Sequence, residues 1–290
     1  MSTDVFKSII DQSWRSRLMK PIIKIIGLGE PLLNPNVVSM VKHAKSNGLT
    51  VEVVSNFTLA NPKLSESLVE AQLDYLGVSM DAASPQIFEK IRTGAKFEDA
   101  INNVKEILKI RNSKNSAKPK VFFRSTINEE NSDEISAIKE LAKSIGVDHV
   151  VFSNQIVSSK ENDTQPSHTT PSSRKPHNTS SWIKKKASLC PAMRRCYVTH
   201  DGKVMPCNFM MMLIPREDYP LFEFGDVTQL SLLSIWFSKR YRQFRVQKAL
   251  GFHPYFCKNC PALSSTDSFA GGFASRRHRR LVAAMKIIGW

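Results

Sequence analysis

The sequence predicts an α/β fold with a parallel sheet in its first half and a small cysteine-bearing unit behind it. Three observations predict this. Between residues 21 and 155, short β-rich runs alternate with longer amphipathic stretches; each apolar run ends in small polar residues; and all five cysteines lie late, at Cys190, Cys196, Cys207, Cys257 and Cys260. With 290 residues and 41% hydrophobic content, the chain can build one large domain, or a large one and a small one. It has no run of about 18 apolar residues, and residues 1–14 are polar and mixed in charge. Neither a membrane span nor a secretory leader is therefore expected, and the cytoplasm is the expected compartment. Thiols stay reduced there, so the cysteines read as ligands or free thiols before they read as disulfides.

The elements follow in order. Residues 21–26 are a buried-strand run that Gly27 ends. Asn34 as N-cap and Pro35 at the first helical position open a helix that reaches Gly48. A strand is expected over 49–54, a helix over 62–71, a strand over 73–80 and a helix over 97–111. A strand over 121–127, a helix over 133–144 and a strand over 148–152 complete the series. Five strands separated by helical crossovers mean a parallel sheet. Residues 156–187 are rich in Ser, Thr, Asn, Pro and Lys and read as a flexible linker. Beyond it, Asp201-Gly202 between two alternating runs predicts a hairpin over 197–204, and a helix is expected over 230–246.

In parallel α/β folds the functional groups collect at the C-terminal ends of the strands. Those ends hold Gly27-Leu28-Gly29-Glu30-Pro31, Ser55-Asn56, Ser79-Met80-Asp81, Arg124 and Ser153-Asn154. Two glycines after a strand let a ligand approach the backbone closely, although a tight turn needing small residues would look the same. The ordered set is more specific than any member. Gly-x-Gly-Glu-Pro-Leu-Leu-x-Pro at 27–35, Val-Ser-Asn at 54–56, Val-Ser-Met-Asp-Ala at 78–82 and Phe-Glu-Lys-Ile-Arg-Thr-Gly at 88–94 resemble the radical S-adenosylmethionine (SAM) enzymes. The resemblance is greatest to members with a C-terminal auxiliary-cluster domain of the SPASM or shorter twitch type.

That resemblance implies a partial (β/α)6 TIM-like barrel over 1–155, missing its first βα unit, and an auxiliary-cluster domain over 188–262, with a basic tail over 263–290. It implies that the backbone of Gly27, Gly29, Glu30 and Pro31 holds the SAM amino group. Asn56 lies at the third-strand turn, Ser79 reaches the SAM carboxylate or ribose, and Asp81 belongs to the same fourth-strand motif. Arg124 pairs with the carboxylate, because a guanidinium suits a planar anion. For Asp81 and Arg124 a structural ion pair is the competing reading. Leu28 between the glycines departs from the family pattern, as does Phe57 where a glycine is usual, which should crowd that turn.

Cys190 and Cys207 lie in a C-x11-G-x4-C stretch, and Cys257-x2-Cys260 completes a set of four thiols. Taken alone, four thiolates read first as a structural zinc site, with an iron–sulfur cluster as the alternative. The resemblance implies a [4Fe–4S] auxiliary cluster at Cys190, Cys207, Cys257 and Cys260, with Cys196 spare. It also implies an N-terminal C-x3-C-x2-C that no cysteine here supplies. The expectation is a truncated or degenerate chain that does not cleave SAM, and whose complete form modifies a peptide or small metabolite with electrons from a reductant protein. The net charge of +15 is concentrated late, with basic runs at 174–195, 239–248 and 276–286. A basic surface for an acidic peptide or RNA is the alternative this raises, with Trp236, Tyr241 and Phe244 as possible stacking residues.

Overall fold

The computed structural model describes residues 1–14, 21–27, 29–154, 190–250, 252, 254 and 257. Leu28, the expected linker, the basic tail and Cys260 fall outside the described residues.

Helix α1 (Thr3–Trp14) precedes a sheet in which β1 (Ile22–Ile25), β2 (Thr50–Ser55), β3 (Tyr75–Ser79), β4 (Lys120–Ile127) and β5 (His149–Asn154) lie side by side in chain order. All four pairings are parallel. The crossovers contain α2 (Val37–Ser46), α3 (Pro62–Glu70), α4 (Pro85–Ile91) with α5 (Phe97–Ser113), and α6 (Ile135–Ile145). Strictly sequential order means the sheet never reverses its winding, which is barrel-wall topology and not that of a doubly wound sheet.

The strand period of two sorts side chains onto two faces. Val51, Val53, Leu76, Val78, Val121 and Phe123 form the core with helical residues such as Val41, Ala44, Leu68, Val104 and Ile107. The opposite face carries Lys24, Glu52, Tyr75 and Arg124 with Val54, Gly77 and Phe122. Gly77 is needed there, since a Cβ would stand 2.8 Å from the Phe122 ring.

Helix α2 begins later than the sequence suggested. Asn34 Oδ1 accepts from the Asn36 N–H at 2.9 Å, so Asn34 closes a local turn and the chain enters the helix at Val37. Helix α3 is capped as its sequence demands, Asn61 accepting from the Leu64 N–H with Pro62 in the first turn. Helix α4, absent from the sequence reading, is a short element after Ser84-Pro85 that buries Phe88 against Phe97.

Behind the sheet, β6 (Tyr197–Val198), β7 (Lys203–Met205) and β8 (Gly225–Asp226) form an antiparallel sheet. The expected hairpin is present, with Gly202 at φ +94 in its turn. Helix α7 (Met210–Leu213) follows. The single helix expected over 230–246 is two, α8 (Leu232–Trp236) and α9 (Lys239–Ala249). Ser238 causes the break, because its side chain accepts from the Tyr241 N–H and starts a new helix. Helix α1 joins both parts: Phe6 and Ile10 enter the large core, Ile9 enters the second core, and Gln12 Oε1 accepts from the Leu232 N–H at 2.6 Å.

Two carboxylates close the N-terminal edge of the sheet. Asp74, just before β3, accepts from the Val51 N–H of β2 and pairs with Lys45 at 2.5 Å and Lys118 at 2.6 Å. Asp148, just before β5, accepts from the Val121 N–H of β4 and pairs with Arg111 at 2.7 Å. Burial alone would raise both pKa values, but the lysine, arginine and backbone donors outweigh it and hold both below the usual carboxylate range. Each therefore contributes stability that is complete above the unfolded value of about 3.9 and is lost as pH falls through the lowered folded value. Urea denaturation as a function of pH should show that loss below about pH 4. Asp74→Asn should cost about 1–3 kcal/mol at pH 7 and flatten the acid slope.

Candidate cofactor site and thiol cluster

The C-terminal edge of the sheet begins with the Gly27–Pro31 turn. Among the described residues, a Cβ on Gly29 would meet nothing within 4 Å, and one on Gly27 would meet only the Gly29 backbone. Packing against the described residues does not require these glycines. Glu30 fixes the turn: its Oε1 accepts from the Leu32 N–H at 2.9 Å and the Ser55 hydroxyl at 2.6 Å, and its Oε2 accepts from the Asn56 N–H at 2.8 Å. The carboxylate thus ties the end of β1 to the end of β2. Asn56 turns its side chain inward on Thr58, accepting from the Thr58 N–H and hydroxyl.

Phe57 stands at φ +62, the left-handed conformation that the missing glycine would have adopted without strain. Its ring is fully buried in the main core. The crowding expected from sequence is resolved by sending the ring inward, where burial worth about 1.5–3 kcal/mol offsets a backbone cost of about 1–2 kcal/mol.

Asp81 is 4% exposed and engaged through both oxygens. Oδ1 accepts from the Thr126 N–H at 2.6 Å, and Oδ2 pairs with Arg92 at 2.5 Å. The cation that Asp81 meets is thus Arg92 and not Arg124. Arg92 lies inside the Phe-Glu-Lys-Ile-Arg-Thr-Gly motif, which was the available signal for it. Asn131 reinforces the junction by donating to the Asp81 and Thr126 carbonyls.

Ser79 and Arg124 face each other across the β3–β4 pairing. Among the described residues, the Arg124 guanidinium makes no hydrogen bond or ion pair. Its surroundings are cationic on one side. Lys24 pairs with Glu52 at 2.5 Å, yet burial holds the Lys24 pKa below its usual value, with Arg195 and Arg124 adding to the effect against Glu52. Sequence reasoning did not single out Lys24 and Glu52, because a lone charge inside an apolar strand run carries no motif.

In the C-terminal unit, Cys190 and Cys207 pack in one cluster with Cys196, Val204, Tyr241 and Phe244. Cys257 packs in the adjoining cluster with Met205, Met210 and Ile214. Strand β7 separates them by presenting Val204 to one side and Met205 to the other. Cys190 and Cys196 are free thiols. Among the described residues, no three His, Cys, Asp or Glu side chains are grouped closely enough to hold a metal ion. The donors nevertheless fit thiolate ligation in kind. Phe209 donates its N–H to the Cys207 sulfur at 3.3 Å, and the buried Lys248 ammonium donates to the Cys257 sulfur at 3.2 Å. Cys196 is different: burial pushes its pKa up to about 11, which keeps it a neutral thiol. Of the candidate stacking residues, Tyr241 and Phe244 are buried and Trp236 is half-buried, with Tyr241 stacked on Phe224 at 4.3 Å.

A sequentially wound parallel sheet, followed by a hairpin unit rich in cysteines, defines a barrel-type α/β protein with an auxiliary thiol unit. Residues 23–142 match the radical SAM superfamily, and residues 190–261 match SPASM, an iron–sulfur cluster-binding domain. The chain is a member of the radical SAM superfamily with a C-terminal SPASM domain. It is 24% identical to the tungsten-containing aldehyde ferredoxin oxidoreductase cofactor-modifying protein of Pyrococcus furiosus, over 92% of this chain and 81% of that one. It is 31% identical to the AdoMet-dependent heme synthase of Methanosarcina barkeri, over 52% of this chain and 42% of that one. In fold it resembles anSMEcpe, solved with AdoMet and a peptide, at a TM-score of 0.61, 12% identity and coverage of 98% and 87%. It resembles Streptococcus suis SuiB at a TM-score of 0.65, 12% identity and coverage of 91% and 65%. No helix among the described residues is long and apolar enough to cross a membrane.

Removing one member of a buried ion pair leaves the other uncompensated, so Asp81→Ala should destabilise the protein by about 3–5 kcal/mol. A double-mutant cycle with Arg92→Ala, read by chemical denaturation, should show that most of this loss belongs to the pair.

Proposed function

We propose that this chain binds SAM along the C-terminal edge of the parallel sheet and a [4Fe–4S] cluster at Cys190, Cys207, Cys257 and Cys260. On this reading it serves radical modification of a peptide or small metabolite. The observation that carries the first part is the Arg124 guanidinium, left without a partner among the described residues and in register with Ser79 at the end of β3. Arg124 holds the carboxylate of the SAM methionine in a bidentate pair, and Ser79 donates a hydroxyl to the same group or to the ribose. The Gly27–Pro31 backbone receives the amino group. Glu30, with both oxygens engaged, keeps that turn against Ser55 and Asn56. Asp81 acts by position, holding the ends of β3 and β4 so that Ser79 and Arg124 stay adjacent.

A four-thiolate cluster, when bound, supplies one-electron transfer and leaves no iron open to substrate. The heme synthase and cofactor-modifying relatives and the peptide-bound fold neighbour support a small metabolite or peptide as the substrate class. Residues 1–189 contain no cysteine. By themselves they provide no thiolate to hold a SAM-cleaving cluster, so this chain is proposed to bind SAM without cleaving it.

Calorimetric titration with SAM tests the site directly. Arg124→Ala should weaken binding about tenfold or more at unchanged melting temperature, the value of a charge-assisted hydrogen bond of about 1.5–3 kcal/mol; unchanged affinity would remove Arg124 from the site. Anaerobic purification followed by metal and sulfide analysis should find about four irons per chain, whereas one zinc ion would replace the cluster reading. Incubation of the chain with SAM and dithionite should yield no 5′-deoxyadenosine.

A further inference from the structure

The sheet face opposite the main core carries charge that the fold leaves unbalanced. Strand register sets Lys24, Glu52, Tyr75 and Lys120 in one row, and Arg124 follows on the same face of β4. Glu52 is buried and pairs with Lys24 at 2.5 Å, while Lys120 is committed to Asp148 at 3.1 Å. Arg195 approaches from the C-terminal unit, where the buried Tyr241 places its hydroxyl 3.5 Å from the Arg195 carbonyl. Neither the Arg124 nor the Arg195 guanidinium has a partner among the described residues. Both lie within electrostatic reach of the Lys24 ammonium: burial holds the Lys24 pKa down, and Arg195 and then Arg124 add to that effect against Glu52. His149, stacked on Phe122 at 4.8 Å, is held below its usual pKa by burial and adds no cation at neutral pH. Lys24, Arg124 and Arg195 therefore face the single carboxylate of Glu52 among the described residues. Lys24 keeps 29% of its side chain exposed and Arg195 is exposed, so a ligand can reach the excess charge.

Like charges gathered at a half-buried site repel one another, and water screens them less there than on an open surface. A purely structural pair would match Lys24 to Glu52 and end there. It gives no reason for guanidinium groups from two units of the fold to approach that pair without carboxylates of their own. An incoming oxyanion answers the excess, since a guanidinium offers paired donors and an ammonium a point charge. In the proposed SAM site Arg124 is taken by the methionine carboxylate, which leaves Lys24 and Arg195 for a second anion.

We propose that Lys24 and Arg195 form a subsite for an anionic group of the substrate, a carboxylate or a phosphate, beside the methionine carboxylate of SAM. This rests on the proposed SAM site and narrows the substrate class from any peptide or small metabolite to one that bears an oxyanion. Lys24 and Arg195 bind and orient that group, and no bond forms or breaks in doing so. Glu52 is a positioning residue: it aims the Lys24 ammonium and competes with the ligand for it. Because Arg195 belongs to the C-terminal unit, the subsite is complete only with both units in place.

The test is calorimetric titration of the full chain with pyrophosphate and, separately, with succinate, each with and without saturating SAM. Saturable binding of at least one probe is expected, and the tighter of the two identifies the substrate's anionic group as phosphate or carboxylate. Arg195→Gln should weaken that binding about tenfold or more, the loss of one charge-assisted hydrogen bond, at unchanged SAM affinity. Glu52→Gln should tighten it about fivefold or more, because Lys24 loses its competing carboxylate. Arg242→Gln, which removes an exposed cation of α9, should leave it unchanged. Binding of neither probe overturns the proposal. So does an equal loss in Arg242→Gln, which would make the effect one of overall charge, or a folded Glu52→Gln chain that binds no more tightly. Should Glu52→Gln fail to fold, acetylation of Lys24 in the native chain is mapped by mass spectrometry. Acetylation should slow as the probe saturates, and an unaltered rate overturns the proposal. A chain that binds a probe but not SAM removes the SAM reading and leaves the anion subsite, whereas SAM binding with neither probe bound does the reverse.

Discussion

A parallel sheet has no hairpins to hold neighbouring strand ends together, so this fold depends on side chains that stitch each seam. Four carboxylates do so here. Glu30 joins the turn after β1 to the end of β2, Asp74 joins β3 to β2, Asp81 joins β3 to β4, and Asp148 joins β5 to β4. In every case one oxygen accepts a backbone N–H of the neighbouring strand or of the residue just beyond its end. Three of the four also take a lysine or arginine, Asp74 and Asp148 from helices or approaches below the sheet and Asp81 from the end of α4. A backbone donor and a cation together are what make a half-buried carboxylate favourable at the margin of an apolar core.

The two edges of the sheet use the same device to different ends. At the N-terminal edge the pairs are closed, with cations matched to Asp74 and Asp148, and they hold register. At the C-terminal edge Glu30 and Asp81 consume their own oxygens, and among the described residues they leave the Ser79 hydroxyl and the Arg124 guanidinium without a partner. A site of this kind needs rigid neighbours, because a long arginine side chain aimed at an anion loses value with every additional rotamer it can visit. The stitched strand ends provide that rigidity.

The C-terminal unit solves a different problem. Three short strands and three helices of 4, 5 and 11 residues bury little apolar area, so the aromatic set of Phe224, Trp236, Tyr241 and Phe244 and the packing of α1 against α8 supply much of what holds it. The basic run of α9 then has two roles in one helix. Its outward residues account for part of the large positive charge, while Arg245 and Lys248 turn in towards the thiols. A composition-level view of that run as a polyanion surface misses the division, which only helical phase reveals.

The sequence by itself determined the order of elements, the parallel sheet and the family, because period-two and period-3.6 patterning and the ordered strand-end motifs are local properties of the chain. It also placed the hairpin at Asp201-Gly202, where a positive φ is required at one residue. It set the start of α2 too early and merged α8 with α9, since the choice between Asn34 as cap or turn, and the restart at Ser238, turn on which backbone N–H each side chain finds. Partner choice was the tertiary structure's to decide. Asp81 could have met Arg124 or Arg92 on sequence grounds, Phe57 could have strained its turn or filled the core, and Lys248 could have faced water. Each outcome depends on distances between residues far apart in the chain, set by packing, and electrostatic pairing falls off too steeply with distance for sequence order to reveal it.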